Sequence, residues 1–159
     1  MSLLNRRHIL LAPLALAACG FQPVYGPGGT GRQLQNRVLV DEPDTRNGFL
    51  LTRALEERLG RANPADYGMS LTIRTQQDGL AIDAEGDTRR FNLLGSVDYA
   101  LRNLDSGDVV VSGSVDNFTG YSATGSTVAT LAAEQDAQER LMSILADQIV
   151  TRLFASDIA

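Results

Sequence analysis

Arg90-Phe91-Asn92-Leu93-Leu94-Gly95-Ser96-Val97-Asp98-Tyr99-Ala100-Leu101-Arg102 repeats with a period of two. Phe91, Leu93, Val97, Tyr99 and Leu101 share one parity; Asn92, Leu94, Ser96, Asp98, Ala100 and Arg102 take the other. Successive side chains of a strand point to opposite faces, so this run predicts a strand with one buried face. Downstream, Asp105-Ser106-Gly107 predicts a hairpin turn, and Val109, Val111 and Val115 return on one face against Ser112, Ser114 and Asp116. Upstream, Met69, Leu71 and Ile73 alternate with Ser70, Thr72 and Arg74. Gly79 interrupts that run, and Leu80 and Ile82 continue with the opposite parity, which predicts a β-bulge ahead of a turn at Ala84–Asp87. Gly95 and Gly113 mark places where the strands twist sharply or admit a close neighbour. Three consecutive strands of this kind form an antiparallel meander.

Two helices flank the meander. Val38-Leu39-Val40 is a short strand ended by Asp41-Glu42-Pro43, after which Asp44 or Thr45 is placed to cap a helix. Leu51, Ala54, Leu55 and Leu59 make its apolar stripe, Gly60 and Asn63-Pro64 end it, and Glu56, Glu57 and Arg58 fall outside the stripe, in water. A loop rich in Gly, Ser and Thr is read from Thr119 to Thr127. Beyond it, Ala133, Ala137, Leu141, Ile144, Leu145, Ile149 and Leu153 mark a second helix, with Asp136 and Arg140 as an i,i+4 pair and Arg152 near its C-terminal end. The order β-α-β-β-β-α gives an α+β fold, a two-layer sandwich with a four-stranded sheet and both helices on one face. The uncovered face is then mostly Ser, Thr, Asn, Asp and Arg, with Leu94, Val110 and Phe118 as exceptions. Such a surface suits bulk water and equally the polar interior of a large β-barrel.

Composition narrows the function classes. The chain has 159 residues, a formal charge of −5, one cysteine, one histidine and no lysine. The missing lysine excludes Schiff-base chemistry and the phosphate loop that ends in Gly-Lys. A single cysteine excludes an internal disulfide framework and a multi-cysteine metal site. A net acidic chain is a poor non-specific ligand for nucleic acid, so no nucleic-acid partner is expected.

The N-terminus reads as an address. Asn5-Arg6-Arg7-His8 is basic, Ile9 to Ala18 is apolar, and Leu16-Ala17-Ala18-Cys19 follows with small residues. Ten apolar residues extend about 15 Å as a helix, half of a roughly 30 Å hydrocarbon core, so the segment engages an export channel without spanning. Arg6-Arg7 leaves ordinary and twin-arginine export both open. Leu-Ala-Ala-Cys resembles the lipobox of bacterial lipoproteins, which implies a diacylglycerol thioether and an N-acyl chain on Cys19 and cleavage just before it. Two or more acyl chains anchor stably, at about 0.8 kcal/mol per buried CH₂. On this reading residues 1–18 are a lipoprotein signal peptide and residues 19–36 a lipidated tether, irregular because of Gly20, Pro23, Gly26, Pro27, Gly28, Gly29 and Gly31. The mature chain then carries 12 arginines against 19 acids, a formal charge of −7, and has lost His8, which excludes a histidine triad or a His-ligated zinc. No cofactor beyond the covalent lipid is expected.

Cys19-Gly20-Phe21-Gln22-Pro23-Val24-Tyr25-Gly26, the strand from Arg90 to Leu104, Tyr121-Ser122, Ala133-Glu134-Gln135-Asp136-Ala137 and Ile149-Val150-Thr151-Arg152-Leu153 together carry a family resemblance. On these runs the chain resembles the LptE family, the lipopolysaccharide-assembly lipoproteins of Gram-negative outer membranes. Alphaproteobacterial members match the first run almost letter for letter. The resemblance implies an LptE-like sandwich domain over residues 37–159, no enzymatic activity, and a place as the plug and assembly subunit of the LptD β-barrel. That complex moves lipopolysaccharide into the outer leaflet of the cell outer membrane. Direct contact with lipopolysaccharide is implied for some members. A strongly acidic domain repels phosphates at long range, so such contact needs a local basic spot, for which Arg74, Arg89, Arg90 and Arg102 are the candidates.

Two other classes stay open in the residues. A periplasmic lipid-binding lipoprotein acting without a barrel needs an apolar pocket between helices and sheet, and few large aromatics are present to line one. An enzyme acting on envelope polymers needs paired carboxylates. Asp83, Glu85 and Asp87 lie in a turn and Glu134, Asp136 and Glu139 on an exposed helix side, where solvated acids are the ordinary case.

Overall fold

The computed structural model describes residues 26, 29–82, 88–123, 125–156 and 158. Its elements are α1 (Thr30–Leu34), β1 (Val38–Val40), α2 (Arg46–Leu59), β2 (Tyr67–Ile82), β3 (Thr88–Asn103), β4 (Val109–Ser122) and α3 (Thr127–Ala155). The strands lie in chain order in one sheet. β1 runs parallel to β2, across the α2 connection, and β2, β3 and β4 are antiparallel. The architecture is the expected α+β arrangement with one more helix. Residues 20–36 read as irregular, yet Thr30–Leu34 is helical and Leu34 is fully buried; the Thr30 hydroxyl donates to the Ser156 carbonyl, tying α1 to the end of α3.

The period-two reading is followed closely. Leu93, Val97, Tyr99 and Leu101 are buried, with Met69 and Val115 beside them, and the alternate residues face out. The bulge in β2 appears as register shifts between Gly79 and Ala81 and between Ala81 and Ile82. The turn expected at residues 84–87 lies outside the described residues. The β3–β4 hairpin is closed by Asn103, whose side-chain oxygen accepts from the Asp105 and Ser106 amides, and Gly107 takes the positive φ of 80° that the turn requires.

Parity fails at one point. A register shift after Leu101 pairs Leu101 with Val111 and Arg102 with Val109. Val110 therefore packs against the core instead of joining the uncovered face, and Val109, expected inside, is exposed. β4 also runs to Ser122, into the stretch read as loop, because Thr119, Gly120 and Tyr121 pair with Leu93, Asn92 and Phe91. The Phe91 and Tyr121 rings stack there at 5.3 Å.

The helices bury what the stripes predict, and more. Thr45 caps α2 by accepting from the Gly48 amide, and Gly60, at φ 77°, ends it. Leu51, Ala54, Leu55 and Leu59 are buried. In α3 the stripe Ala137–Leu141–Leu145–Ile149–Leu153 is joined by a second, Met142–Ala146–Val150, because α3 packs against both the sheet and α2. Arg58, expected in water, is drawn into that helix–helix seam. Its guanidinium donates to the carboxylate of Asp147 at 2.5 Å, to the Ser143 hydroxyl at 2.9 Å and to the Ala54 carbonyl at 2.7 Å. The Asp147 hydrogen bond raises the Arg58 pKa against an opposing effect of burial, and the same bond lowers that of Asp147. No helix of the described residues is long and apolar enough to cross a membrane.

Candidate functional site

With both long helices on one side, the sheet's other side is a broad polar surface. Register builds it in rows across three strands: Thr72–Asp98–Ser114, Arg74–Ser96–Asp116, Gln76–Leu94–Phe118 and Asp78–Asn92–Gly120. Polar groups here bond to one another. Arg74 donates to Asp98 at 2.7 Å across the diagonal, and Gln76 donates to Asp78 at 2.9 Å. Asp98 is held below the usual carboxylate range, first by a hydrogen bond from Ser114 and then by the one from Arg74. Phe118 stands 61% exposed with Leu94 beside it. Arg74, Gln76, Leu94, Ser96, Asp116 and Phe118 rim a shallow hollow of about 420 Å³. Arg74 and Asp98 neutralise each other, and the polar groups are spread over a broad sheet face, an arrangement that offers contact area.

The four candidate arginines are not brought together. Arg74 sits mid-face and is taken by Asp98. Arg90 is at one end of β3 and Arg102 at the other, twelve positions apart, or about 40 Å at 3.3 Å per residue. Arg89 has the opposite parity to Arg90. No single basic spot is formed by all four. Cys19 and His8 lie outside the described residues, as do Asp83, Glu85 and Asp87. The remaining acids of the enzyme reading are engaged: Glu139 pairs with Arg53, Asp136 with Arg140, and Glu134 accepts from Gln138. Among the described residues no group of His, Cys, Asp and Glu is placed to hold a metal ion. The placing of Asp98 opposite Ser114 was not legible beforehand, because only the strand register brings those two residues together.

A model of the lipopolysaccharide-assembly family LptE matches residues 35–153, three quarters of the chain. The chain belongs to the LptE family. Its role is therefore in lipopolysaccharide assembly, in a family that works with LptD. Among solved structures, a candidate lipoprotein from Caulobacter crescentus CB15 is similar at 27% identity over 82% of this chain and 96% of its own, with a TM-score of 0.68. Rare lipoprotein B from Shewanella oneidensis shares the fold at 13% identity, over 76% of this chain and 94% of its own, with a TM-score of 0.55. The minor lipoprotein from Acinetobacter baumannii does so at 14% identity, over 76% and 91%, with a TM-score of 0.55. No curated protein matches the sequence of this LptE-family chain.

Proposed function

We propose that this protein is an outer-membrane lipoprotein, acylated on Cys19, that acts without catalysis as the plug and assembly subunit of an LptD-like β-barrel. It thereby takes part in placing lipopolysaccharide in the outer leaflet. The observation that carries the reading is the uncovered sheet face, where Arg74 and Asp98 pair and whose polar rows suit the wet, polar wall of a large barrel. Membership of the LptE family and the lipoprotein descriptions of similar structures support it. A lipid carrier working without a barrel is less well supported, because Leu55, Met69, Leu101, Leu141 and Leu145 are fully buried where such a pocket would open between the layers. In this reading contact with lipopolysaccharide phosphates falls to Arg90, near the start of β3 on the open face, and not to Arg74, which Asp98 already holds.

Affinity purification of the tagged, lipidated protein from native membranes in gentle detergent tests the proposal. A large outer-membrane barrel in stoichiometric yield is the expected result. Its absence, with the bait intact and acylated, overturns the plug role.

A further inference from the structure

One end of the outer sheet face departs from its polar character. Register places Leu39, Gly68, Arg102 and Val109 side by side across all four strands. Leu104 folds back over Gly68, where a Cβ would stand 3.1 Å from its Cδ2. Leu39, Leu104 and Val109 are 55%, 48% and 51% exposed, and Arg102 between them makes no hydrogen bond or ion pair among the described residues. The row is rigidly presented: the Asn103–Asp108 turn carries three side-chain bonds to backbone amides, and the Leu104 amide donates to the Asp66 carbonyl.

The chain reaches the domain at this same end. Gly29, which precedes α1, shares a hollow of about 260 Å³ with Arg37 and Tyr67, and Tyr67 adjoins Gly68. Ten residue steps separate Cys19 from Gly29, a span of at most about 35 Å when fully extended. A lipid on Cys19 therefore keeps a bilayer surface within that distance of Gly29, at the same end of the domain as the row.

Resting on the proposed acylation of Cys19, we propose that the row Leu39–Leu104–Arg102–Val109 docks on the lipid surface that holds the anchor. The three aliphatic side chains enter the headgroup–acyl boundary, and the Arg102 guanidinium pairs with a lipid phosphate while its stem lies along the apolar strip. Asp105 and Asp108 are exposed in the adjoining turn, so the row favours zwitterionic over anionic headgroups.

The test uses full-length protein, lipidated in cells. An acylated Cys19 leaves an introduced cysteine as the only free thiol. A bimane label at Val109→Cys, and separately at Leu39→Cys, is read in vesicles of phosphatidylethanolamine with brominated or unbrominated chains. A label at Val128→Cys, on the exposed first turn of α3, is the control. Insertion to roughly 5–10 Å predicts an about twofold loss of emission at both row positions with brominated chains and none at the control. Leu104→Asp with Val109→Asp removes the loss at position 39 without changing the circular dichroism. Equal emission in both lipids, with Cys19 shown acylated by mass, overturns this inference and leaves the anchor standing. An unmodified Cys19 overturns the anchor reading itself. Emission that responds to added protein but not to brominated chains assigns the row to a second copy and overturns the lipid contact.

Discussion

Replacing Gly95 by alanine tests how closely α3 lies on the sheet. Gly95 is on the covered face of β3, and its φ is outside the left-handed region, so the backbone accepts any residue there. An added Cβ would stand 2.9 Å from Leu141 Cδ2 and 3.1 Å from Leu145 Cδ1. Carbon pairs rest at about 3.5–4.0 Å, so the ends of both fully buried leucines must shift within the core. Overpacking of this kind costs about 1–3 kcal/mol, while reduced freedom of the unfolded chain returns about 0.4–1 kcal/mol. The net expectation is a loss of about 1–2 kcal/mol. With a urea m-value of about 2 kcal/mol per molar, the unfolding midpoint falls by about 0.5–1 M. Leu141→Ala alone costs about 2–5 kcal/mol through its cavity, and the new methyl partly fills that cavity. The double variant is therefore expected to be less destabilised than the sum of the singles, by at least about 0.5 kcal/mol. Equilibrium urea titrations of the four proteins decide it. A Gly95→Ala midpoint at or above that of the parent, or strict additivity in the cycle, refutes the claim that the helix bears on the sheet at this glycine.

Gly113→Ala has a parallel cause with a different neighbour: its Cβ would lie 2.7 Å from the Tyr99 hydroxyl oxygen, so the ring must shift, and near-ultraviolet circular dichroism of the tyrosines is expected to change with a stability loss of about 1 kcal/mol. Asp147→Asn is expected to cost no more than about 1 kcal/mol at neutral pH, because the carboxylate is largely exposed. Since Arg58 holds the folded-state pKa of Asp147 below its ordinary value, that contribution is full above the ordinary carboxylate range and fades as pH falls through the lowered value, so urea midpoints of parent and variant are expected to converge once pH lies below it. Phe118→Ser, at an exposed site, is expected to leave stability within about 0.5 kcal/mol yet to lower the yield of co-purified barrel, and an unchanged yield removes Phe118 from the contact surface.

Alternation made most of the sheet readable, because one buried face imposes period two wherever strands pair regularly. It failed at Val109 and Val110, where the register shift beside the hairpin reverses parity, a feature fixed by pairing across strands and invisible within one. α1 was not legible because its five residues carry no periodic signal; Leu34 is held by tertiary packing. The Met142–Ala146–Val150 stripe went unread for a related reason: a helix facing two layers buries a wider arc than a single stripe describes. Arg58 looked solvated by position, but its long side chain crosses the seam to Asp147 and Ser143. For the site, sequence supplied the polar character of the open face but not its distribution. Only register shows that the arginines are dispersed, that Arg74 is spent on Asp98, and that aliphatic side chains gather beside Gly68.

Strand length links the proposed plug to the proposed lipid contact. β2 and β3 have 16 residues each, which at about 3.3 Å per residue is roughly 50 Å. A hydrocarbon core is about 30 Å thick. In the proposed reading a domain tethered at the Leu39–Val109 end and standing along a barrel axis reaches beyond the far leaflet boundary, and its distal end carries Arg89 and Arg90. The same domain lying flat would press the paired, polar rows of Arg74, Asp98 and Gln76 onto lipid, burying groups that keep partners and water only when faced by a polar wall. Polar desolvation thus argues against the flat pose and for the upright one. The apolar row at the tethered end is then the part of the open face that meets lipid at the rim, while the polar remainder stays inside the wall.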